Sequence, residues 1–350
     1  ALGLAAERLG EHLGDAFALL VSPRSTNEEA YVAQRFARAV MGTNNVDLST
    51  DGRPEQVLPL GRSLGTRAAT GSVQELEDAR CVIVVNSNTT EDHNVAAVPL
   101  KKGRRRGTLK LIVVDPREVE LTRHADLWLR PHPGTEATLL GGILRAVLDH
   151  GLEDAAFLAA GCDGLDGLRD SLAPFALSPV AERTGVAEDQ ITQAARWFAE
   201  ELPGAILYAL DNVPLDQRTP LVEALVDLAL VTGNVGRPSA GLFPLPTGTN
   251  QQGAWDVGCT PAMLPGHAPV DDDAARGRFE AAWGVSLPSA PGLASGDAIA
   301  AMERGEVTAA VVVGDSDTFN DDALHALGRL DFLVVQDLFP SDLAAVADVV

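Results

Sequence analysis

Three short polar clusters carry the side chains of this sequence that could bind a ligand. Two of them directly follow apolar runs typical of strands, and the third begins a helical segment. The clusters are residues 86–93, residues 115–117 and residues 133–136. In open α/β sheets, ligands bind beyond the carboxyl ends of the strands, where helix N-termini offer free amide groups. The sequence therefore predicts a ligand-binding edge built from these clusters.

The first two clusters contain groups suited to a nucleotide. In residues 86–93, Asn86, Asn88 and His93 accompany backbone amides that could hold a phosphate or a ribose. Asp115 could accept from ribose hydroxyls or from the amine edge of a purine, and Arg117 could pair with phosphate. Each cluster has a structural alternative. The first could simply cap the next helix, and the second could be an Asp-Pro turn with a solvated arginine.

The third cluster, Gly134, Thr135 and Glu136, lies at a helix start. We expect Thr135 to cap this helix, with contact to a ligand as the alternative. No GxGxxG, GxSxG, HExxH or P-loop pattern occurs, and the seven histidines are not at metal-ligand spacing to one another. The sequence therefore predicts no catalytic residue and no metal ligand in this chain.

Composition narrows the class of partner. The formal net charge of −22 argues against a nucleic-acid ligand, because phosphate binding needs a basic face. Three cysteines without paired spacing exclude a zinc or iron–sulfur site built from cysteine alone, and Cys81 is expected to be a small buried apolar residue.

The basic run at residues 101–106 is either a solvated turn or a docking patch for anions or an acidic partner subunit. No apolar run approaches the roughly 20 residues of a membrane span, so membrane insertion is not expected. Residues 1–10 lack a signal-peptide pattern, so export is not expected either.

Strand-like and helix-like segments alternate along the chain. The strand-like runs are continuously apolar, which is typical of strands covered on both faces, and the alternation predicts a doubly wound, mostly parallel α/β sheet. Helices are expected near residues 95–102, 135–149, 189–201, 220–231 and 321–327, while residues 242–291 look irregular.

The helix that follows the first strand has the clearest local signals. Thr26 and Glu29 form a capping-box pattern, and Gly42 is a stop signal. The apolar residues Tyr31, Val32, Phe36 and Val40 are predicted to form its buried stripe.

A collinear series of motifs resembles the molybdopterin oxidoreductases, and it covers nearly the whole chain. Any single motif is weak, whereas the ordered series is specific. It includes STNEE and GTNNVD at residues 25–47, VVNSN at 84–88, LIVVDPR at 111–117, PGTE at 133–136, LVTGNVGRP at 230–238, QQGAWDVG at 251–258, VGD at 313–315 and VQDLF at 335–339.

This resemblance implies two lobes that are each similar to a dinucleotide-binding domain. The first would be discontinuous, residues 1–48 and 248–350, with residues 49–247 inserted as the second. In active members each lobe grips one guanine-dinucleotide arm of a bis-pterin molybdenum or tungsten cofactor. By position, Asn86, Asn88, His93, Asp115, Arg117, Gly134, Thr135 and Glu136 would flank one arm, and Gly314, Asp315, Gln336 and Asp337 the other.

The sequence departs from the active members where their chemistry occurs. Formate dehydrogenases carry a cysteine or selenocysteine followed by histidine in the segment that matches residues 48–54, and this segment contains neither. The position nearest to their substrate-binding arginine is Pro246, whose neutral ring cannot orient a carboxylate as an arginine does. The three reactive groups are absent together.

These losses make the chain most similar to the G-type (chain 3, 75 kDa) subunit of NADH:quinone oxidoreductase, respiratory complex I. The resemblance then implies a scaffold fragment without bound cofactor, located on the cytoplasmic side of the membrane among other subunits. Iron–sulfur clusters would belong to an N-terminal region outside this chain, which would also lack a C-terminal domain. One alternative is a catalytic formate dehydrogenase-type fragment with molybdopterin guanine dinucleotide. Another is a relative that keeps a guanine-nucleotide or pterin site for a different purpose.

Overall fold

The computed structural model describes all of residues 1–350, and the chain forms two compact units. Unit 1 combines Ala1–Gly52 with Thr247–Val350, and unit 2 is the continuous segment Arg53–Pro246. The chain therefore leaves unit 1 once, completes unit 2, and returns.

Eleven strands and sixteen α-helices are numbered in chain order. The strands are β1 Phe17–Val21, β2 Val46–Leu48, β3 Cys81–Val85, β4 Lys110–Val114, β5 Leu127–Leu129, β6 Gly204–Tyr208, β7 Gly241–Pro244, β8 Met263–Leu264, β9 Ala268–Pro269, β10 Ala309–Val313 and β11 Phe332–Gln336. The helices are α1 Leu2–Leu9, α2 Asn27–Phe36, α3 Leu58–Leu64, α4 Thr89–Asp92, α5 Asn94–Arg106, α6 Glu136–Asp149, α7 Ala155–Gly161, α8 Leu165–Ser171, α9 Leu177–Thr184, α10 Glu188–Glu200, α11 Leu215–Val231, α12 Gln251–Asp256, α13 Asp273–Trp283, α14 Ser295–Glu303, α15 Asp321–Leu327 and α16 Asp342–Val346. None of the helices is both long and apolar enough to cross a bilayer.

Unit 2 is built on a parallel five-stranded sheet in the order β5-β4-β3-β6-β7. The chain runs outward from β3 to β5 and then returns to place β6 on the other side of β3. The side chains of β3 alternate between two apolar clusters, with Cys81, Ile83 and Val85 on one face and Val82 and Val84 on the other. Both faces are covered, as the continuous apolar run indicates.

Unit 1 contains a parallel four-stranded sheet in the order β11-β10-β1-β2. Here too the chain reverses direction at the centre, because β1 pairs with both β2 and β10. A separate antiparallel pair, β8 and β9, lies in the segment between the two halves of this unit's sheet. The predicted α/β class with parallel, doubly wound sheets is confirmed.

Several element predictions need correction. Helix α5 continues to Arg106, so the basic run forms the last turns of a helix and is not a turn. Its Lys101, Lys102, Arg104 and Arg106 pair with acidic side chains of the same unit. Helix α11 begins at Leu215, before Pro220, and the segment expected to be irregular contains α12 and α13.

Helix α2 confirms the capping box but not the predicted buried stripe. The Glu29 amide donates to Thr26 Oγ1 at 3.2 Å, and the Thr26 amide donates to Glu29 Oε2 at 2.9 Å. Val32 and Val40 are 65% and 62% exposed, whereas Gln34 and Arg38 are fully buried. The helix continues as a π-helical turn over Ala37–Met41, which ends at Gly42 with φ +76°. The buried face is therefore partly polar, and a pattern of apolar residues could not reveal it.

Arg38 is the largest fully buried side chain. Its guanidinium donates to the carbonyl oxygens of Gly258, Thr260 and Met263 at 2.7–2.9 Å. It also donates to Gln34 Oε1 at 2.6 Å and Asn44 Oδ1 at 2.9 Å. No carboxylate accompanies it, and burial lowers the pKa of Arg38 to about 10, so it remains charged at neutral pH. One side chain thus joins α2 to residues 258–263.

The buried carboxyl group of Asp47 is expected to make the unfolding free energy depend on pH. Its carboxylate accepts from the Ser295 amide at the start of α14 and from the Leu48 amide, at 2.8 and 2.9 Å. Burial is the main cause that raises the pKa of Asp47 to about 6, with Asp51 adding to it. Because this folded-state pKa exceeds the usual value of about 3.9 in unfolded chains, the folded state binds the proton more tightly. We expect unfolding free energy to fall as pH rises from about 4 to 6 and then to level off.

Urea denaturation between pH 4 and 8 would measure this contribution. The neutral variant Asp47→Asn should lose this part of the pH dependence. If the variant and the unmodified chain keep the same pH profile, Asp47 does not titrate as expected.

Candidate functional site

The carboxyl edge of the unit 2 sheet collects the polar clusters predicted from the sequence. The chain reverses between β3 and β6, and ligands of open α/β sheets bind at such switch points. The loop after β3 brings in residues 86–93, and the loop after β6 brings in Asp211. His93 lies close enough to Asp92 and Asp211 for both carboxylates to act on its charge. These loops form what we call the unit 2 crevice.

Three buried polar atoms in the first loop have no hydrogen-bond partner. They are Asn86 Nδ2, Asn88 Oδ1 and Thr90 Oγ1. Asn86 also has a left-handed backbone, with φ +51°, which is uncommon for a residue other than glycine. Asn88 precedes α4 but does not cap it, and its Nδ2 donates to Glu91 at 2.7 Å. Capping alone therefore does not explain the loop, since unpaired buried polar groups cost free energy unless a ligand or an ordered water satisfies them.

Asp115 and Arg117 are paired with each other. Asp115 is fully buried and accepts from the Arg117 amide at 2.8 Å, from its Nε at 3.0 Å and from its Nη2 at 2.9 Å. The Arg117 guanidinium is partly exposed and lies near Asp92 and Asp211. This arrangement is an Asp-Pro turn with an anchored, not freely solvated, arginine that faces the crevice.

The third cluster lies at the same edge of the sheet, at the start of α6. Gly134 has φ +81°, and the Thr135 hydroxyl donates to the His132 carbonyl at 2.7 Å. The prediction that the Thr135 side chain caps the helix is therefore wrong. Glu136 is buried, and this burial raises its pKa, although backbone amides of Glu136 and Gly134 oppose the shift. Nearby Asp115 adds to the rise, which places the second and third clusters side by side.

Burial also sets the charge of His93. Desolvation lowers the pKa of His93, while Asp92 and Asp211 act in the opposite direction. The imidazole is therefore neutral at pH 7 and can donate one hydrogen bond and accept another. The crevice thus offers an imidazole, amides and a guanidinium, which suits an anionic, hydroxyl-rich ligand.

Unit 1 has its own crevice, of about 240 Å³, at the switch point between β1 and β10. Gly314 and Asp315 both have left-handed backbones, and a Cβ on Gly314 would lie 2.9 Å from Ser22 Cβ. Asp315 accepts from the Ser22 hydroxyl and from Arg24 Nη1, each at 2.5 Å. We call this the unit 1 crevice.

The β11 end supplies Gln336 and Asp337. Gln336 is exposed, and its carbonyl accepts from the Gly314 amide at 2.7 Å. Asp337 accepts from the Ser316 hydroxyl and amide and from the Leu338 amide. Burial alone would raise the pKa of Asp337, but these hydrogen bonds outweigh it and hold the pKa below its usual value. Both carboxylates of this crevice therefore already have donors.

The structure places the sequence-predicted residues at the two crevices, eight in unit 2 and four in unit 1. Sequence reasoning included Thr90 within the first cluster but missed Asp211, Ser22 and Arg24. Ser22 and Arg24 directly follow β1, and Asp211 follows β6 after two residues. Their place after a strand makes them candidates, but only the strand order shows that their loops lie at the switch points of the two sheets.

No three His, Cys, Asp or Glu side chains converge where they could hold a metal ion. The segment after β2 contains a buried Ser49 whose hydroxyl has no partner. Gly52 packs near Trp255, and its carbonyl accepts from Gln251 at 2.5 Å.

Several known proteins are similar to this chain in sequence over most or all of its length. Formate dehydrogenase H of Escherichia coli is 36% identical over 361 residues, which covers 100% of this chain and 50% of that protein. F420-dependent formate dehydrogenase 1 subunit alpha of Methanococcus maripaludis is 34% identical over 100% of this chain and 52% of that protein. A probable oxidoreductase, YjgC, of Bacillus subtilis is 35% identical over 96% of this chain and 35% of that protein. The chain thus spans about half the length, or less, of these relatives.

A solved structure shares the fold. Acetylene hydratase from Pelobacter acetylenicus superposes with a TM-score of 0.74 at 22% identity, over 99% of this chain and 50% of that one. The family model described as molybdopterin oxidoreductase matches residues 1–350. The ordered motifs, the two parallel sheets and this full-length match agree, and the chain belongs to the molybdopterin oxidoreductase family.

Proposed function

We propose that this chain is the cofactor-binding part of a molybdopterin-dependent oxidoreductase of the formate dehydrogenase type. The observation that carries the proposal is the set of unpaired buried atoms on Asn86, Asn88 and Thr90 at the switch point of unit 2. A fold kept only as a scaffold has no need to leave buried polar atoms unsatisfied. The formate dehydrogenases among the relatives point to the same class of reaction.

The residues present fit a nucleotide arm of such a cofactor. Asn88 Oδ1 can accept from a base or ribose, while Asn86 Nδ2 and the Thr90 hydroxyl can donate to phosphate oxygens. Arg117, held by Asp115, presents a guanidinium that suits a phosphate. In unit 1, Gly314 allows close backbone approach, and Asp315, Gln336 and Asp337 would flank a second arm. When bound, the pterin–metal group supplies the two-electron redox chemistry, and these side chains bind and orient it.

A second function, a scaffold subunit of a complex I-type oxidoreductase, is favoured by a different observation. Residues 48–54 contain no cysteine or histidine, and Pro246 stands where formate-oxidising relatives have an arginine. In that case the chain would support NADH-to-quinone electron transfer among partner subunits without binding the metal. A cytoplasmic, membrane-peripheral location would follow.

Metal and pterin content separate the two functions. The full-length protein, purified anaerobically, should contain molybdenum or tungsten at close to one atom per chain, together with a fluorescent pterin oxidation product. This result would rule out the scaffold. A well-folded protein with neither metal nor pterin, from cells that load other molybdoenzymes, would overturn the cofactor-binding proposal and support the scaffold.

The crevice itself predicts a mutational effect. In the full-length protein, Asn88→Ala removes a buried acceptor that we assign to the nucleotide arm. We expect pterin content to fall about tenfold, as the loss of one hydrogen bond worth 1–2 kcal/mol implies. Asn94→Ala, at the exposed first residue of α5, is the matched control and should keep full content. Equal content in both variants would contradict the assignment of Asn88.

A further inference from the structure

A groove on unit 2 is separate from the crevice. It runs between α6 and α11 on one side and α8 with the following turn on the other. It consists of two cavities of about 290 and 390 Å³ that share Leu168, Ser171 and Asp227. The second cavity is mainly apolar, with Leu144 and Phe175 in its walls, whereas the first combines Leu158 and Leu165 with polar groups. The space accepts a few side chains and not a globular surface.

Asp227 stands where the two cavities meet, and it has no partner. It is half-buried and makes no hydrogen bond or ion pair within the chain. Burial, with a smaller effect from Glu223 one turn earlier, raises the pKa of Asp227 to about 6. Glu223 has its own cation, because Arg62 Nη2 lies 2.9 Å from its Oε1. A carboxylate among leucines without a cation is unfavourable unless something supplies the missing charge.

The other charged groups of the groove do not supply the positive charge that Asp227 lacks. Asp163 lies exposed in the first cavity and adds negative charge. Arg183 lines the second cavity but forms no ion pair with Asp227. The lining therefore combines apolar walls with an unmatched acidic centre. A side chain with an apolar stem and a positively charged end, such as arginine or lysine, would be complementary to this lining.

We propose that this groove docks a segment of a partner protein that places one arginine or lysine against Asp227, with apolar side chains in the two cavities. Charge complementarity argues for this occupant. A second copy of the chain is a poor fit, since each copy carries a formal net charge of −22. A partly desolvated ion pair flanked by apolar contacts is a common centre of specific interfaces. The proposal is independent of the function assigned to the crevices.

The chain contains a natural reporter for this site. Cys162 lines the first cavity and is half-buried, whereas Cys81 and Cys259 are fully buried. Burial also raises the pKa of both buried thiols, so they react slowly. The alkylation rate of Cys162 by iodoacetamide, followed by peptide mass spectrometry on the whole protein, therefore reports occupancy of the groove.

The probes are two synthetic 12-residue helical peptides. One carries a single arginine flanked by leucines three and four residues away, and its twin carries neutral citrulline instead. We expect the arginine peptide to slow Cys162 alkylation at an at least tenfold lower concentration than the citrulline peptide. Asp227→Asn should abolish this difference, while Glu223→Gln, one turn away, should leave it in place. Asp227→Asn should fold normally, since it removes only an unpaired charge, and its circular dichroism and urea midpoint check this.

Three outcomes would overturn the proposal. The first is no protection by the arginine peptide at millimolar concentration, and the second is equal protection by both peptides. The third is a preference for arginine that persists in a folded Asp227→Asn protein, because the cation would then be recognised elsewhere.

Discussion

Replacing Arg38 with methionine is expected to lower the free energy of unfolding of unit 1 by about 4 kcal/mol. Methionine fills part of the space but donates no hydrogen bonds. The carbonyl groups of Gly258, Thr260 and Met263 would then remain buried without their donor, as would the side-chain oxygens of Gln34 and Asn44. Each unsatisfied buried acceptor costs free energy, and the loss is spread over elements distant in sequence.

Urea denaturation combined with hydrogen-exchange mass spectrometry would measure the effect in each unit. Protection should fall in peptides from α2 and from residues 258–263, with little change in unit 2. The control is Arg35→Met, an exposed arginine on the same helix whose guanidinium lies over the Trp283 ring at 5.8 Å. That variant should cost less than about 1 kcal/mol. Equal costs for the two variants would mean that the buried network contributes nothing specific.

Replacing Asn234 with alanine is expected to destabilise unit 2 by about 2–4 kcal/mol. Asn234 is fully buried where α11 has ended. Its Oδ1 accepts from the Gly204 amide at 2.7 Å, and its Nδ2 donates to Thr232 Oγ1 at 3.0 Å and the Phe198 carbonyl at 3.3 Å. The variant would leave the amide at the start of β6 unpaired and open a small cavity.

Thermal and urea unfolding would measure this loss, with Asn212→Ala as the exposed control. The control should change stability by no more than about 0.5 kcal/mol. A partial rescue by Asn234→Ser, which keeps one acceptor for the Gly204 amide, would support the assignment. If alanine at position 234 were as well tolerated as alanine at position 212, the hydrogen bonds of Asn234 would not be stabilising unit 2.

Strands were the easiest elements to predict, because runs such as Cys81–Val85 and Ala309–Val313 are continuously apolar and bounded by polar loops. The inward face of α2 was not predictable in the same way. Gln34 and Arg38 are buried only because Gly258–Met263, far along the chain, supplies carbonyl groups to them. Burial of polar side chains depends on partners that local periodicity does not contain.

In the candidate site, too, some residues could be predicted from local sequence and others depend on distant parts of the chain. Residues after β3 and β4 were predicted because they follow their strands directly. The importance of Asp211 and of Ser22 with Arg24 was missed, since it depends on β6 lying beside β3 and β10 beside β1. Strand order is set by long-range packing and is not written in any short motif. The pairing of Arg117 with Asp115 likewise depends on the conformation of the turn, which the residue types alone do not determine.

The path of the chain through the two units has a consequence for synthesis. Unit 2 is continuous and has all five strands of its sheet once Pro246 has been made. Strand β1 can complete its pairing only later, because its neighbour β10 begins at Ala309. During translation, β1 therefore has one sheet edge unpaired while the whole inserted unit is completed. A nascent chain is therefore open to wrong pairing along this edge of β1 until β10 has emerged.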